Sequence, residues 1–259
     1  MDAPGLAVVT GASSGIGEAF ARDLARRGHS LLLVARRAER LETLAAELST
    51  AGREVRWVAC DLATDGGRDR CRAAVDEAGV PPAVVVLNAG FGSRGSIDQL
   101  DRERELQMVR LNVEAVVDLA CHVLPGMRAR GRGRVVIISS AAAWQPLPFM
   151  ATYGATKAFE LHFAEAIRQE LRGTGVQVIA VCPGPTRTEF TTVAGDAGMP
   201  RWIPQERSEG VVRATWRALD RGKAHVATGR LARFTIGCAR ILPRRLVVRA
   251  AALLGPKST

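Results

Sequence analysis

The feature that most constrains this chain is a glycine-rich turn between a short apolar run and a helical pattern. Leu6 to Val9 is typical of a buried strand, and Glu18 to Arg27 has the apolar spacing of a helix. The turn between them, Thr10 to Gly17, carries three glycines spaced Gly-x-x-x-Gly-x-Gly. Such glycines let the backbone approach a phosphate, and the amides at a helix start attract it. The pattern predicts a dinucleotide site; an ordinary Gly/Ser turn is the alternative.

A second signal is the only tyrosine of the chain. Tyr153 stands four residues before Lys157, one of three lysines. Residues four apart share one face of a helix, so the ammonium is expected beside the phenol. A neighbouring positive charge is expected to lower the pKa of the phenol, about 10 when free, toward the range of general acid/base catalysis. Taken alone, the pair is also compatible with a half-buried tyrosine beside a solvated lysine.

Strands and helices alternate along the 259 residues, as a parallel sheet requires. The sequence therefore predicts a single α/β domain over residues 1–259, a Rossmann-like, doubly wound parallel β-sheet of about seven strands flanked by helices. Beyond the first strand and helix, the apolar runs predict strands at 30–35, 55–60, 83–88, 134–139, 176–182 and 224–228. Helices are predicted at 38–49, 69–78, 102–130, 152–172 and 208–221.

The cysteines and the apolar runs suggest a cytoplasmic location. The five cysteines are scattered, with no Cys-x-x-Cys and no metal-ligand spacing, so we expect reduced thiols and no metal site. The first strand and turn begin within ten residues of Met1, so we expect no signal peptide. No uninterrupted apolar stretch reaches the roughly 18 residues that a spanning helix needs.

Five motifs together resemble the short-chain dehydrogenase/reductase family. They are Thr10 to Gly17, Asn88-Ala89-Gly90, Ser140, Tyr153 with Lys157, and Pro183-Gly184. The resemblance runs in order from about Leu6 to Thr188, with one minor departure, Leu87 in place of a first asparagine before Asn88. It implies an oxidoreductase that transfers a hydride between a nicotinamide dinucleotide and a carbonyl or secondary alcohol. The alternative is a catalytically idle NADP-binding or membrane-docked regulatory protein on the same fold.

The end of the second predicted strand bears on the choice of cofactor. Dinucleotide sites for NAD carry an acidic residue there, whereas a basic residue accommodates the 2′-phosphate of NADP. In this chain Arg36 falls where the acid would lie, Arg37 follows it, and no acid comes before Glu39. The sequence therefore favours NADP(H), with Ser13 as a further phosphate contact. NAD(H), or use of both cofactors, remains the alternative, because two arginines at a strand end are also ordinary surface charge.

The resemblance also assigns roles to individual residues. It implies that Tyr153 is the general acid/base, that Lys157 lowers its pKa and binds the ribose, and that Ser140 orients the substrate oxygen. It implies that Asn112 holds a water between Lys157 and solvent. Asp61 matches an adenine contact, with a helix cap as the alternative. The predicted cofactor contacts are Gly11, Ser13, Ser14, Gly15, Ile16, Gly17, Arg36, Arg37, Asp61, Leu62, Asn88, Ala89, Gly90, Tyr153, Lys157, Pro183, Gly184, Thr186 and Thr188.

The irregular stretch 186–207 is too long for a plain connection and is predicted to be a substrate lid, or else a disordered surface loop. Its aromatic residues, with others near the catalytic positions, suggest a pocket for an apolar or bulky small molecule. The predicted pocket residues are Phe91, Ser140, Trp144, Phe149, Phe190 and Trp202, with Met150 beside them.

The C-terminal segment 229–259 is basic. The net charge of the whole chain is +10. Residues from Arg221 onward contain nine Lys/Arg and no Asp or Glu, so residues 1–220 carry a net charge of only +1. Residues 229–242 and 244–254 have amphipathic helical patterns, and we favour packing of their apolar side on the core or on a partner subunit of a homodimer or homotetramer. Contact with an anionic membrane surface is the alternative. No nucleic-acid-binding motif accompanies the charge, so nucleic acid is not expected as a partner.

Overall fold

The computed structural model describes residues 4–50, 53–190 and 204–253. Seven parallel strands form one sheet in the order β3-β2-β1-β4-β5-β6-β7, which confirms the predicted Rossmann-like fold. The strands are β1 Leu6–Thr10, β2 Ser30–Ala35, β3 Val55–Ala59, β4 Val84–Leu87, β5 Gly133–Ile138, β6 Val176–Cys182 and β7 His225–Ala227.

Helices cover both faces of the sheet. They are α1 Gly15–Arg26, α2 Ala38–Leu48, α3 Asp65–Asp76, α4 Arg102–Val109, α5 Ala115–Ala129, α6 Ala151–Glu170, α7 Ser208–Asp220, α8 Arg230–Ile241 and α9 Arg244–Leu253. Successive strand residues point to opposite faces, so Val8 packs with α3, α5 and α6 while Val9 packs with α1, α2 and α7. The β-strands are nearly continuous apolar runs because helices bury both of their faces.

The strand order reverses between β1 and β4, which are neighbours in the sheet although two strands separate them in sequence. In doubly wound sheets, ligands bind at the carboxyl ends of the strands beside such a reversal. The glycine turn after β1 and Asn88 after β4 lie at this point.

Two helices differ from the sequence prediction. The helix expected from Asp69 begins at Asp65, because the Thr64 side chain accepts a hydrogen bond from Gly67 N at 3.1 Å and caps it. The helix expected over 102–130 is interrupted by a π-helical segment, Arg110–Glu114, between α4 and α5. Such single turns widen a helix locally and often occur at functional sites.

The C-terminal helices bury only part of their apolar surface. Ile236 and Val247 pack inward, whereas Phe234 and Ile241 are 69% and 84% exposed. These two residues therefore do not pack on the core of their own chain, and their packing on a partner subunit stays a prediction. Across the described residues, none of the helices is both long and apolar enough to span a bilayer.

Candidate active site

The glycine turn has no room for side chains. Gly11 has φ +64°, and a Cβ there would lie 2.6 Å from Asn88 Nδ2. A Cβ on Gly17 would lie 2.2 Å from the Gly11 carbonyl oxygen. Gly15 has φ +60° and faces the Thr188 side chain. The turn thus needs glycine for its backbone conformation at Gly11 and Gly15 and for close packing at Gly17.

Thr10 and Asn88 join the ends of β1 and β4. The Thr10 hydroxyl accepts hydrogen bonds from the backbone amides of Asn88 and Ala89 at 2.9 and 3.0 Å. In return, Asn88 Nδ2 donates to the carbonyls of Thr10 and Gly11 at 3.0 and 3.2 Å. Asn88 is therefore held by protein atoms, and its role in the geometry is to fix the glycine turn against the neighbouring strand.

The start of α1 suits an anion. Ser14 is the N-cap residue, yet its side chain does not cap the helix. The first amides of α1 are thus available to a ligand, at the positive end of the helix dipole. Together with the glycines of the turn, which leave the backbone uncovered by side chains, these amides form a cradle that can bind a phosphate group.

Arg37 connects this cradle to the end of β2. Its guanidinium donates to the Ser13 hydroxyl at 3.0 Å and to the Ser13 carbonyl at 3.3 Å, and it pairs with Glu189 at 2.7 Å. Arg40 pairs with the same carboxylate at 2.6 Å, and both arginines lower the pKa of Glu189. Arg36 is exposed. Sequence reasoning found Arg37 and Ser13 but missed Arg40 and Glu189.

Ser140 and Tyr153 meet at the carboxyl end of β5. Ser140 precedes a 3₁₀ turn, Ala141–Trp144, and its hydroxyl accepts from Ala142 N at 3.1 Å and hydrogen bonds to the Tyr153 side chain. Ala141 N donates to the Pro183 carbonyl at 2.9 Å, which ties this turn to the end of β6. Ser139, by contrast, is buried and donates to the Lys157 carbonyl at 2.7 Å.

The electrostatics of Tyr153 differ from the sequence expectation. Burial raises the pKa of the phenol above its usual value, while the Lys157 charge and the Ser140 hydrogen bond act against this rise. The prediction that the pKa of Tyr153 is lowered is therefore wrong, because burial destabilises the phenolate more than the Lys157 ammonium stabilises it.

Lys157 lies beneath Tyr153, with Nζ 5.9 Å from the ring centroid. Its ammonium donates to the Ile138 carbonyl at 3.0 Å and to both oxygens of Glu160 at 2.9 Å. Burial raises the pKa of Glu160 to about 7, although Lys157 favours the charged carboxylate. Sequence reasoning did not select Glu160, although its position three residues after Lys157 on a helix was a usable signal.

Asn112 is fully buried in the π-helical segment. Its Nδ2 donates to the Phe91 carbonyl and to Thr156 Oγ1, both at 3.0 Å, and its Oδ1 accepts from Phe91 N at 3.2 Å. Gly90 packs against it, because a Cβ there would lie 2.9 Å from Asn112 Oδ1 and 3.4 Å from Lys157 Nζ. Asn112 therefore joins the segment after β4 to α6, the helix that carries Tyr153 and Lys157.

Aromatic rings border the Tyr153 side chain. The Phe190 ring centroid is 5.2 Å from that of Tyr153. Both rings pack against Gly92, which was not among the residues predicted from the sequence. Phe91 lies under the Arg104 guanidinium at 5.4 Å. Phe190 therefore places an apolar ring next to the phenol.

Trp144 and Phe149 lie on the segment between Ser140 and α6. The Trp144 ring contacts His225 edge-on at 5.0 Å and lies 4.3 Å from the Arg240 guanidinium, so α8 reaches the active-site segment. Phe149 has φ +65°, an unfavourable conformation for a bulky residue, and Met150 follows it as the N-cap of α6. Backbone strain of this kind clusters at ligand sites.

The two ends of the predicted lid pair with each other. Arg187 N donates to the Glu206 carbonyl, and Glu206 N donates to the Pro185 carbonyl, both at 2.9 Å. Thr186 donates to the Gly184 carbonyl at 2.9 Å. Trp202 lies outside the described residues, as does most of the lid.

The remaining predicted contacts line the same end of the sheet. Asp61 follows β3, where its carboxylate accepts from Ala63 N at 3.0 Å, whereas Thr64 caps the following helix. Leu62 is buried beside it, and Gly184 packs against Ala232 of α8. Ile16 lies in the first turn of α1.

Comparison with known proteins identifies the family. Residues 5–197 match the family model for short chain dehydrogenase, so the chain belongs to that family and is an oxidoreductase with a nicotinamide dinucleotide cofactor. It is 34% identical over 253 residues to a putative ketoacyl reductase of Streptomyces coelicolor, an alignment that covers 97% of this chain and 90% of the relative.

Solved structures agree with the fold and the cofactor class. A short-chain dehydrogenase from Sphingobium yanoikuyae in complex with NADPH superposes with a TM-score of 0.81 at 33% identity, covering 92% of this chain and 94% of that one. The bulky-bulky ketone specific alcohol dehydrogenase from Comamonas testosteroni superposes with a TM-score of 0.77 at 29% identity, with 93% of each chain covered.

Proposed function

We propose that this protein is an NADP(H)-dependent reductase of carbonyl compounds with apolar or bulky substituents, in which Tyr153 is the general acid/base. The single observation that carries the proposal is the contact of Ser140 with Tyr153, above the Lys157 ammonium and at the same sheet edge as the glycine cradle. These groups can protonate and orient an oxygen next to a bound dinucleotide.

In the reductive direction, the Tyr153 hydroxyl donates its proton to the substrate oxygen. The Ser140 hydroxyl donates a hydrogen bond to the same oxygen and so stabilises the charge that develops there. Lys157 stabilises the phenolate that remains. When bound, the cofactor supplies the hydride, while the protein contributes position and electrostatics.

Residues at the carboxyl ends of the strands would hold the cofactor. The amides of α1 and the glycine turn suit the pyrophosphate, and Asp61, Ala89, Pro183 and Thr188 line the path along the sheet edge. Arg37, aligned by Ser13, supports the preference for NADP(H), because a guanidinium binds a 2′-phosphate through two parallel hydrogen bonds. The NADPH in the Sphingobium structure agrees with this preference.

The rings near Tyr153 support the substrate class. The Phe190 ring lies beside the phenol, and Phe91, Trp144 and Phe149 on neighbouring segments could extend this apolar surface toward a substrate. The names of the Comamonas enzyme, which is specific for bulky ketones, and of the Streptomyces ketoacyl reductase also support a carbonyl substrate.

A panel of ketones tests this function. Purified protein is mixed with NADPH or NADH and with ketones that range from small and charged to bulky and apolar, and oxidation of the reduced nicotinamide is followed by absorbance. We expect turnover with NADPH that is highest for bulky apolar ketones. Turnover only with small charged ketones, or only with NADH, would contradict the proposal.

We also propose a homo-oligomer, with the exposed apolar side of α8 as a subunit contact. Phe234 and Ile241 are exposed there in the single chain. Light scattering is expected to give a dimer or tetramer for the wild type and a smaller species for the double variant Phe234→Asp, Ile241→Asp. A wild-type monomer that sediments with anionic vesicles would support membrane contact instead.

A further inference from the structure

Glu160 is a buried carboxylate that the catalytic scheme above does not use. It lies on α6 one turn after Lys157, and only 1% of it is exposed. Both of its oxygens accept from Lys157 Nζ at 2.9 Å, and the Ile138 carbonyl accepts the third hydrogen bond at 3.0 Å. An ammonium has three donors, so these three acceptors fix its position.

The Lys157–Glu160 pair also changes the electrostatic environment of Tyr153. A buried carboxylate beside a buried ammonium leaves little net charge, so the charge of Lys157 acts on Tyr153 with its counter-charge next to it. Burial is the main cause of the raised pKa of Tyr153; Lys157 lowers this pKa, and Glu160 adds to the rise. The two groups therefore act on the phenol in opposite directions.

The other titratable groups around Glu160 lie on three elements. Lys157 and Tyr153 share α6 with it, together with Glu165, whose side chain pairs with His225 of β7. Cys182, at the end of β6, has a pKa raised to about 11 by burial, so its thiol is neutral at physiological pH. Among these groups, only Lys157 contacts Glu160. The charges nearest to Tyr153 are therefore those of the Lys157–Glu160 pair.

We propose that Glu160 is a positioning residue for the catalytic pair: it holds the Lys157 ammonium with both oxygens and offsets its charge, which adds to burial in keeping the Tyr153 phenol protonated, the form that carbonyl reduction requires. The part concerning reduction rests on the proposed function, whereas the coupling between Glu160 and Tyr153 does not. Alcohol oxidation needs the phenolate. It therefore begins at a higher pH with an ionised carboxylate at Glu160 than with a neutral side chain at this position.

The coupling can be measured without any substrate, because Tyr153 is the only tyrosine of the chain. The ultraviolet difference spectrum of phenol ionisation therefore reports this residue alone, and Tyr153→Phe provides the blank. Titrations of wild type, Glu160→Gln and Glu160→Leu are compared, with circular dichroism at each pH to confirm that the protein stays folded. Glu165→Gln is the matched control, since it removes a carboxylate from the same helix that does not contact Lys157.

We expect Glu160→Gln and Glu160→Leu to shift the titration of Tyr153 down by about one pH unit, as removal of a nearby like charge does, which is about tenfold more phenolate at a given pH. Glu165→Gln is expected to shift it by less than about a third of that amount. Coincident titrations of wild type and whichever Glu160 variant folds would overturn the proposal, as would an equal shift in Glu165→Gln.

The functional consequence is tested separately on the substrate found with the ketone panel. The pH at which alcohol oxidation begins is expected to be about one unit lower in Glu160→Gln than in the wild type. An unchanged onset would overturn the claim about direction. Absence of any ketone turnover in the wild type, together with a shifted tyrosine titration, would instead refute the proposed function and leave the coupling standing.

Discussion

Replacing Arg37 with alanine is expected to weaken NADPH binding much more than NADH binding. A hydrogen bond between charged partners contributes about 1.5 to 3 kcal/mol. Arg37 already pairs with Glu189, but both side chains are 43% exposed, so that pair contributes only about 0.2 to 1 kcal/mol and offsets part of the gain from a phosphate. The net loss is about 0.5 to 2.8 kcal/mol, which corresponds to about 2- to 110-fold in Kd.

The assay is a fluorescence or calorimetric titration of wild type and variant with each cofactor. Kd for NADH, which lacks the 2′-phosphate, should change by less than about threefold, equivalent to about 0.6 kcal/mol. Glu189→Gln is the counterpart, because it frees Arg37 and Arg40 and is expected to tighten NADPH binding by up to about fivefold. Equal losses for both cofactors in Arg37→Ala, or no loss for either, would refute the assignment of Arg37 to the 2′-phosphate.

Three further predictions follow from the site geometry. Gly17→Val places a side chain against the Gly11 carbonyl, so thermal melting should be lowered and no longer respond to NADPH; a normal NADPH-induced shift would contradict the cradle. Asn112→Ala leaves the Phe91 backbone without its side-chain partner, which should lower the unfolding free energy in urea by about 1 to 3 kcal/mol. Burial raises the pKa of Glu160 to about 7, above the about 4.3 of an unfolded glutamate, so its contribution to stability is complete below about pH 4.3 and is lost as pH rises through 7. Between about pH 4.3 and 7 the unfolding free energy of the wild type should therefore fall more than that of Glu160→Gln. An equal fall in both proteins would contradict a raised pKa for this carboxyl.

The sequence predicted the fold well because its signals are local. Buried parallel strands are apolar runs, and the glycine turn, the sole tyrosine and its lysine are readable within short windows. The start of α3 differs from the prediction, because the cap at Thr64, five residues before the predicted start at Asp69, is a start signal that the apolar pattern does not include. The π-helical segment around Asn112 has no such local signal, since it depends on tertiary contacts with Phe91 and Thr156.

Parts of the site lay beyond sequence reasoning because they depend on contacts distant in sequence. Glu189 meets Arg37 across 152 positions, and no local pattern links them. Gly92 is required by two aromatic rings that come from α6 and from the segment after β6. The direction of the pKa shift of Tyr153 depends on how deeply the ring is buried, which only the packed structure reveals.

The most direct test of the account is the turnover of Tyr153→Phe with NADPH and the best ketone of the panel. The variant keeps the ring beside Phe190 and loses only the hydroxyl, so Kd for NADPH should stay within about threefold of the wild type. General acid/base catalysis contributes about 10² to 10⁴-fold, and we expect kcat to fall by that factor. A variant that retains more than about a tenth of wild-type kcat would contradict the assignment of Tyr153 as the proton donor.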